Sequence, residues 1–513
     1  MDNNSNPSEI GWTAIIIVSL SSFIIALDST FMNVSIGNLV VDLNTTIPTI
    51  QIIISVYALT MASLMLLGGK MQDLVGRRET YILGAVIFGF GTTIAALSVN
   101  STMLLIGWSI LEGMGAALMT PATASIIVGL YSGKNREFAL GIRTSLATAG
   151  AGLGPLVGGF LTTFFSWRWG FGLELVIIII ILLLSRKLKY FPPSMKFSEL
   201  DKWGVLLSSL GILIFVIGIL SINSIENLEV PAVIIGIGIL LLILFYFREK
   251  RVINRDEMPL TDIRLFKNRN FALGTLCRLV LNLALAGAVF ILPVFFQQET
   301  GADAFTTGLA ILPLTIGVLI FSLASSKISN RIAPHHLISI GFLIALLSSY
   351  YLSSQFDLDT HVYNIIPGTL FLGMGLGLAL PLTANVILSS ASADKQADAT
   401  GIMSTSSNLG SAMGTAVIGI ILILGTMYGL YSAYDQVYPG QFTKSEINQK
   451  FDIYQEKKNT TTYEVLQGNN NTLLYTIINK TVRSAMKTAF VFVSIIFLIS
   501  FIISLFIKPL KLQ

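Results

Sequence analysis

A chain of 513 residues that is 53% hydrophobic and only 12% charged, where soluble domains carry about 25% charged residues, is not an ordinary water-soluble globular protein and reads as a polytopic membrane protein. Its net charge of +4 names no partner, because in such a chain the placement of Lys and Arg matters more than their sum. A single cysteine, Cys277, excludes an internal disulfide, and with only three histidines (His335, His336, His361) no cysteine/histidine zinc or iron–sulfur site is expected.

At about 20 apolar residues per crossing, fourteen spans are expected. They centre on residues 12–36, 49–69, 81–99, 102–127, 138–164, 168–185, 203–222, 230–247, 271–296, 306–325, 337–353, 363–388, 399–427 and 486–507. Residues 1–11 hold no Lys or Arg, and the apolar run after them is longer than a signal-peptide core and lacks a convincing cleavage site, so it is expected to be retained as the first span. Lys70, Arg77 and Arg78 follow the second span, Lys134 and Arg136 the fourth, and Arg186, Lys187, Lys189, Lys196 and Lys202 the sixth. The run from Arg248 to Arg269 follows the eighth, Lys327 and Arg331 the tenth, Lys395 the twelfth, and Lys508 and Lys511 the last, whereas the short connections after odd-numbered spans hold only Arg168. Positive charge inside then puts both termini in the cytoplasm. The polar segment 428–485, long enough to escape that rule, is expected outside as a partly helical cap or spacer.

An internal repeat organises the chain. Gly113 to Ala124, with Pro121, returns 260 residues on as Gly373 to Ala384, with Pro381. Gly150, Gly154 and Gly159 return as Gly410, Gly414 and Gly419, with Thr415 in place of Pro155, so the second copy should bend less. Gly69 to Arg78 has a worn echo from Ser326 to His335. The expected fold is therefore all-α: an N-terminal six-helix bundle over 12–186, a central insert over 187–269 with two further spans, and a C-terminal six-helix bundle over 270–513 that includes the long loop. Parallel repeats of this kind suit an alternating-access carrier with a cavity between the halves.

Gly150, Gly154 and Gly158 recur every fourth residue in the fifth span, forming a bare stripe on which another helix backbone can lie, with Pro155 bending the helix within it. Charge inside the hydrocarbon costs about 2.5–3.5 kcal/mol on insertion scales, so each instance calls for a reason. Asp28, deep in the first span, either carries a coupling proton or meets a substrate cation, or else is locked in a structural network with Asn33 or Thr30. Glu112, near mid-membrane in the fourth span, either has a coupling or substrate-facing role or pairs with a base such as Arg143; its repeat counterpart is Leu372. Arg143, Arg278 and Glu174 lie about two turns from an interface, where snorkelling to water is expected. Phe290, Phe295, Phe296, Gln297 and Gln298, with Asn33 and Arg143, are candidates for the cavity lining. Gly69, Asp73, Gly76, Arg77 and Arg78 form a tight, charged connection suited to holding one gate conformation.

These stretches resemble the major facilitator superfamily, specifically its fourteen-span drug/proton antiporter branch. Gly69–Arg78 resembles the family's cytoplasmic loop signature, Gly150–Gly159 its antiporter signature, Leu27-Asp28 with Thr30 and Asn33 its acidic first-span motif, and Trp167-Arg168-Trp169 its start of the sixth span. The resemblance implies a monomeric plasma-membrane exporter that exchanges protons for amphipathic organic compounds. It implies no cofactor and no nucleic-acid partner, with the proton gradient as energy source. The chain departs from the pattern in the fourth span, where Ser109 and Glu112-Gly113 stand in place of an arginine followed three residues later by Gln-Gly, and in Leu74, where an arginine often follows the loop aspartate. Val318 in the tenth span and Ser404 to Asn408 in the thirteenth replace the acids of dication exporters, so a strong preference for dications is not expected. An importer or dedicated metabolite exporter on the same fold is the first alternative. A membrane-embedded enzyme is the second, and the absence of a nucleotide loop or paired catalytic carboxylates in the non-membrane segments argues against it.

Overall fold

The computed structural model describes residues 12–131, 133–222, 228–255, 257–329, 331–392, 395–444, 446–447 and 472–509. The N-terminal segment 1–11, the echo residue Asn330 and the middle of the 428–485 segment lie outside the described residues. Hydrocarbon offers no partner for a free N–H or C=O, so each span has to satisfy its backbone internally. Among the described residues, fourteen helices are long and apolar enough to cross a membrane. They are α1 (Trp12–Asp42), α2 (Ile47–Val75), α3 (Arg77–Ala96), α4 (Ser101–Leu130), α5 (Phe138–Phe164), α6 (Arg168–Ser185), α7 (Lys202–Leu220), α8 (Glu229–Asn254), α9 (Arg269–Glu299), α10 (Ala304–Ser325), α11 (Pro334–Leu352), α12 (Val362–Ser389), α13 (Gln396–Val437) and α14 (Leu473–Ser504).

Local chemistry sets many of the boundaries. Asn100 Oδ1 accepts the Met103 N–H at 2.8 Å to start α4, and Asp303 Oδ1 accepts the Thr306 N–H at 2.7 Å to start α10. Gly76, with φ +100°, ends α2 and opens α3 in a turn that only glycine enters without strain. The last span begins earlier than expected: α14 starts at Leu473 rather than 486, and α13 runs on to Val437, so both helices take in parts of the 428–485 segment. Polar residues such as Thr476 and Asn479 mask the apolar periodicity there. Two stretches of π-helix, Leu105–Glu112 within α4 and Phe295–Glu299 within α9, and a 3-10 turn at Met32–Ser35 within α1, were not expected either.

The duplication is visible as matched helix packing. In the first bundle α5 lies along α1, and α4 against α2 and α3; in the second α13 lies along α9, and α12 against α10 and α11. A Cβ added at Gly150 would strike the Phe23 carbonyl and one at Gly154 would meet the Leu27 carbonyl, while Gly410 and Gly414 approach the Leu279 and Leu283 carbonyls in the same way. Gly113 lies against the Tyr57 carbonyl and Gly373 against that of Leu314. Helix backbones come this close only where side chains are missing, which is how membrane helices without a hydrophobic drive gain contact. Pro155 sits inside a helix that continues unbroken to Phe164.

Alternating helix direction gives the bundle two ends. One, the basic face, carries the α2–α3, α4–α5, α6–α7, α8–α9, α10–α11 and α12–α13 connections; the other is the far face. At the far face the bundles meet. Gln297 Nε2 donates to the Val34 carbonyl and Gln297 Oε1 accepts the Gly37 N–H, each at 2.5 Å. Residues 37 and 297 are themselves repeat equivalents, so this contact sits where the two halves' symmetry axis passes. Gln51 Nε2 donates to the Thr415 and Ala416 carbonyls at 2.9 and 3.2 Å, and the Phe305 N–H donates to Thr163 Oγ1 at 2.9 Å. Towards the basic face, the α5 positions Gly141, Thr144 and Ser145 are exposed, with open space at Gly141 and Gly152.

The insert is asymmetrically placed. Helix α7 covers the α2–α13 seam: Ser209 Oγ donates to the Ser63 carbonyl at 2.7 Å, and Ile212 and Val216 pack with Leu59, Ala62 and Ala412. On the other side, the α5–α10 seam borders an open apolar groove of about 690 Å³ lined by Leu156, Phe160, Trp169 and Phe305 among others. At the basic face Lys70 of α2 reaches Asp398 of α13 at 3.9 Å.

Candidate functional site

Asp28 on α1, Glu112 on α4 and Glu174 on α6 converge inside the N-terminal bundle. All three are 0% exposed. Each offers a carboxylate oxygen, and the three oxygens lie within 4.8 Å of one another. The π-helical stretch of α4 ends at Glu112; an inserted residue of this kind re-aims the side chains around it and is frequent at functional sites. Gly91 of α3 makes room for the Glu112 backbone and side chain, since a Cβ there would lie 2.6 Å from Glu112 N and 2.9 Å from its Cγ.

Aromatic rings wall the acids in. Trp108 Nε1 donates to Asp28 Oδ1 at 2.7 Å. The Trp108 ring stacks on Tyr57 of α2, with centroids 5.2 Å apart and planes at 13°. Phe171, one turn before Glu174, sets its edge against Phe31, Trp108 and Trp167. Both carboxylate oxygens of Glu174 are buried without a hydrogen-bond partner among the described residues, the Tyr57 hydroxyl is directed at Asp28 and the Thr92 hydroxyl at Glu112, and none of the three acids is in an ion pair there.

Three negative charges in this arrangement are not sustainable. At 4.8 Å and an effective dielectric of about 20, each pair repels by about 3.5 kcal/mol or more, before any desolvation cost. At most part of the cluster is ionised at one time, the rest carrying protons or meeting a cation.

Other expected residues fall elsewhere. Thr30 Oγ1 donates to the Leu27 carbonyl at 3.0 Å and Asn33 Nδ2 to the Ser29 carbonyl at 3.2 Å, so Asp28 is held by Trp108 and not by either of them. Arg143 is not paired with Glu112: its Nη1 donates to Thr123 Oγ1 at 2.9 Å. It lies eleven positions before Gly154, roughly 16 Å along α5 towards the basic face. Arg278 bonds Ser407 Oγ at 2.8 Å and the Leu380 carbonyl at 2.7 Å. Neither arginine snorkels, because bundle neighbours supply acceptors closer than water, and Glu174 turns inward, away from the interface. Phe290 and Phe296 are buried in core packing, and Gln297 joins the bundles at the far face.

Of the connection motif, Arg77 Nη1 donates to the Ser125 carbonyl at 2.9 Å and Arg78 Nη2 to the Arg186 carbonyl at 3.4 Å. The Asp73 carbonyl accepts the Ser194 and Met195 N–H groups, both at 2.9 Å, so this motif clasps the chain leaving α6 within its own bundle. Gly150, Gly154 and Gly158 face α1, and Gly159 faces Ala304 and Phe305 of α10.

Of the three acids, Asp28 adjoins the stripe of α1 that leads to the C-terminal bundle. Ser29 is exposed, and residues 29, 33 and 37 form one helical stripe whose last member touches the C-terminal bundle. Thr144 and Ser145 on α5 are exposed as well. The contacts of Tyr57 and Trp108 with the acid group were not foreseen from the sequence; Glu174 was recognisable as an intramembrane charge, but depth alone pointed it to the interface.

The family model described as the Major Facilitator Superfamily matches residues 18–415. The methylenomycin A resistance protein of Bacillus subtilis is 26% identical over 428 residues, covering 82% of this chain and 90% of its own. The multidrug efflux pump LfrA of Mycolicibacterium smegmatis is 29% identical over 80% of each chain. The quinolone resistance protein NorB of Staphylococcus aureus strain Newman is 30% identical over 76% of this chain and 84% of its own. Among solved structures, a bacterial homologue of the human lysosomal transporter Spinster, inward-facing and unoccupied, superposes with a TM-score of 0.63 at 15% identity over 98% of both chains. The peptide transporter POT with alafosfalin gives 0.60 at 16% identity over 92% of this chain and 95% of its own.

Proposed function

Because the chain belongs to the major facilitator superfamily, we propose that it is a proton-coupled antiporter of the plasma membrane that exports amphipathic organic compounds. The basic face is cytoplasmic, as are both termini, by the distribution of Lys and Arg. The observation that carries the reading is the buried acid group at Asp28 and Glu112, with exposed Ser29 next to Asp28 in the chain. The printed names of the resistance and efflux relatives supply the substrate class.

In this cycle the bundles rock about the central space. With the far face closed, substrate enters from the cytoplasm or the inner leaflet. With the basic face closed, Asp28 and Glu112 take protons from outside, and they release them inward when the far face closes again. Inward proton movement supplies about 2.3 kcal/mol per charge per 100 mV, so no bound cofactor drives the step. The protein acts as a monomer, because both halves of the site come from one chain.

The test is efflux from proteoliposomes under an imposed pH gradient, across a panel of cationic, neutral and anionic compounds. Accumulation that collapses with a protonophore supports the antiporter. Uptake in the opposite direction, or exchange confined to one metabolite, points to an importer or dedicated exporter, and chemical modification of a substrate without a gradient points to an enzyme.

A further inference from the structure

The coupling group is larger than the two acids named above. We propose that Asp28, Glu112, Glu174 and the Tyr57 hydroxyl form one shared, buried proton-binding site, so that more than one proton is exchanged for each molecule exported. The proposal rests on the antiporter reading and deepens it.

Four helices other than α5 contribute to the site: α1, α2, α4 and α6. The three carboxylate oxygens within 4.8 Å bring groups of like charge into a single titrating unit, in which protonation of one member changes the others. Tyr57 closes the group: its hydroxyl is buried, is directed at Asp28 with no partner outside the acids, and belongs to the ring that stacks on the tryptophan holding Asp28. A phenol in that place can donate to whichever carboxylate is ionised, which keeps the remaining charge tolerable once the other members carry protons.

The surroundings leave the acids to each other. On α6 itself the remaining charged group is Arg168, at the far end, where it bonds Asp42 and the Ser98 carbonyl. The helices against α6 are α3, α1 and α5. Helix α3 carries Arg77, Arg78, Glu79 and Tyr81, the first three at the basic face, with Tyr81 bonded to Ser21; α1 offers Asp28, with Asp42 at the far end; α5 offers Arg143, on Thr123. Helix α2 contributes Tyr57, with Lys70 and Asp73 at the basic face, and α4 contributes Glu112. No base therefore stands against the cluster among the described residues, and compensating charge has to come from water.

The fold does not require Asp28 or Glu112. The repeat equivalents of Asp28 and Glu112 are Ala288 and Leu372, both buried, so the second bundle closes the same packing with apolar side chains. Retaining unpaired acids at such a position is costly unless they are used.

The experiment follows the carboxylic acids directly, by infrared difference spectroscopy of the purified full chain in lipid nanodiscs across a pH series, for the wild type and for Asp28→Asn, Glu112→Gln and Glu174→Gln. The shared site predicts that Glu174→Gln removes its own carbonyl band and also moves the titration of the two remaining acids, by about tenfold or more in proton concentration. Bands that stay in place when Glu174 is changed overturn the proposal, and so do bands that follow Na⁺ or Ca²⁺ at fixed pH in place of protons. Where Glu174→Gln does not fold, Glu174→Asp keeps the acid on a shorter arm: an altered titration supports sharing and an unaltered one refutes it. In proteoliposomes with ethidium, a monovalent cationic dye, the proton-to-dye ratio should fall by about one from about two or more in Glu174→Gln; an unchanged ratio counts against the site. Wild-type protein that shows the coupled infrared titration but no proton-linked transport of any compound would refute the antiporter reading and leave the site standing.

Discussion

In the alternating-access cycle proposed above, Gln297 is the most economical handle on the equilibrium between the two states. Its amide makes two hydrogen bonds from α9 to α1, to the Val34 carbonyl and from the Gly37 N–H, both at 2.5 Å and both between the bundles. In Gln297→Leu the side-chain volume is nearly kept while both bonds go. At about 0.5–1.5 kcal/mol each, the loss destabilises the closed far face by about 1–3 kcal/mol, a shift of roughly 5- to 150-fold between the two access states. The chain's single cysteine, Cys277, is buried, so a Cys277→Ala background allows one new cysteine at Ser29 to report access. A membrane-impermeant thiol reagent applied from the far side should label that cysteine faster in Gln297→Leu by a factor in that range. Labelling that is unchanged, with the protein folded and inserted, would refute the assignment of this contact as a seal.

Asp28→Asn should abolish proton-linked efflux while leaving membrane insertion intact; normal coupled transport in that variant would remove Asp28 from the mechanism. Gly154→Leu should separate α1 from α5, since even a Cβ there meets the Leu27 carbonyl at 2.9 Å; an overpacking cost of about 1–3 kcal/mol is expected in thermal stability, whereas Gly141→Ala, with nothing within 4 Å, should be nearly neutral. At the basic face, burial works against the Asp262 carboxylate, but Arg264 at 2.9 Å and Lys395 at 2.6 Å outweigh it and hold the group well below the usual carboxylate range. A depressed folded value means that its stabilisation is present above the unfolded pKa of about 3.9 and is lost as pH falls through the folded value. Protease resistance of the α8–α9 connection should therefore hold through neutral pH and fail in strong acid, while Asp262→Asn should cost about 1.5–3 kcal/mol near neutrality; equal resistance of that variant would refute the ion pairs' role.

Span number, order and most boundaries were legible because hydrocarbon imposes a coarse rule that apolar run length obeys. The repeat was legible too, since close-packed glycines such as Gly113 and Gly373 have to recur for the helices to touch. What the sequence hid depends on rotation about helix axes. Whether Glu174 faces lipid, water or Asp28 is decided by the twist of α6 and by the π-helical stretch of α4, and neither leaves a mark in residue spacing. Nothing in residue spacing marks Trp108 or Tyr57, because an aromatic ring that packs and one that holds a carboxylate have the same hydropathy. The start of α14 was missed for the opposite reason: its first turns are polar and look like loop.

The covering of one seam by α7 makes the molecule resemble a book with a bound spine. Ser209, Ile212 and Val216 tie the edge between α2 and α13, and the opposite edge, at α5 and α10, lies bare beside an oily furrow. In the export cycle proposed above, pages held on one side part on the other, so a greasy guest dissolved in the bilayer would meet an unguarded margin there, and deleting α7 and α8 should alter which leaflet-borne molecules gain admission.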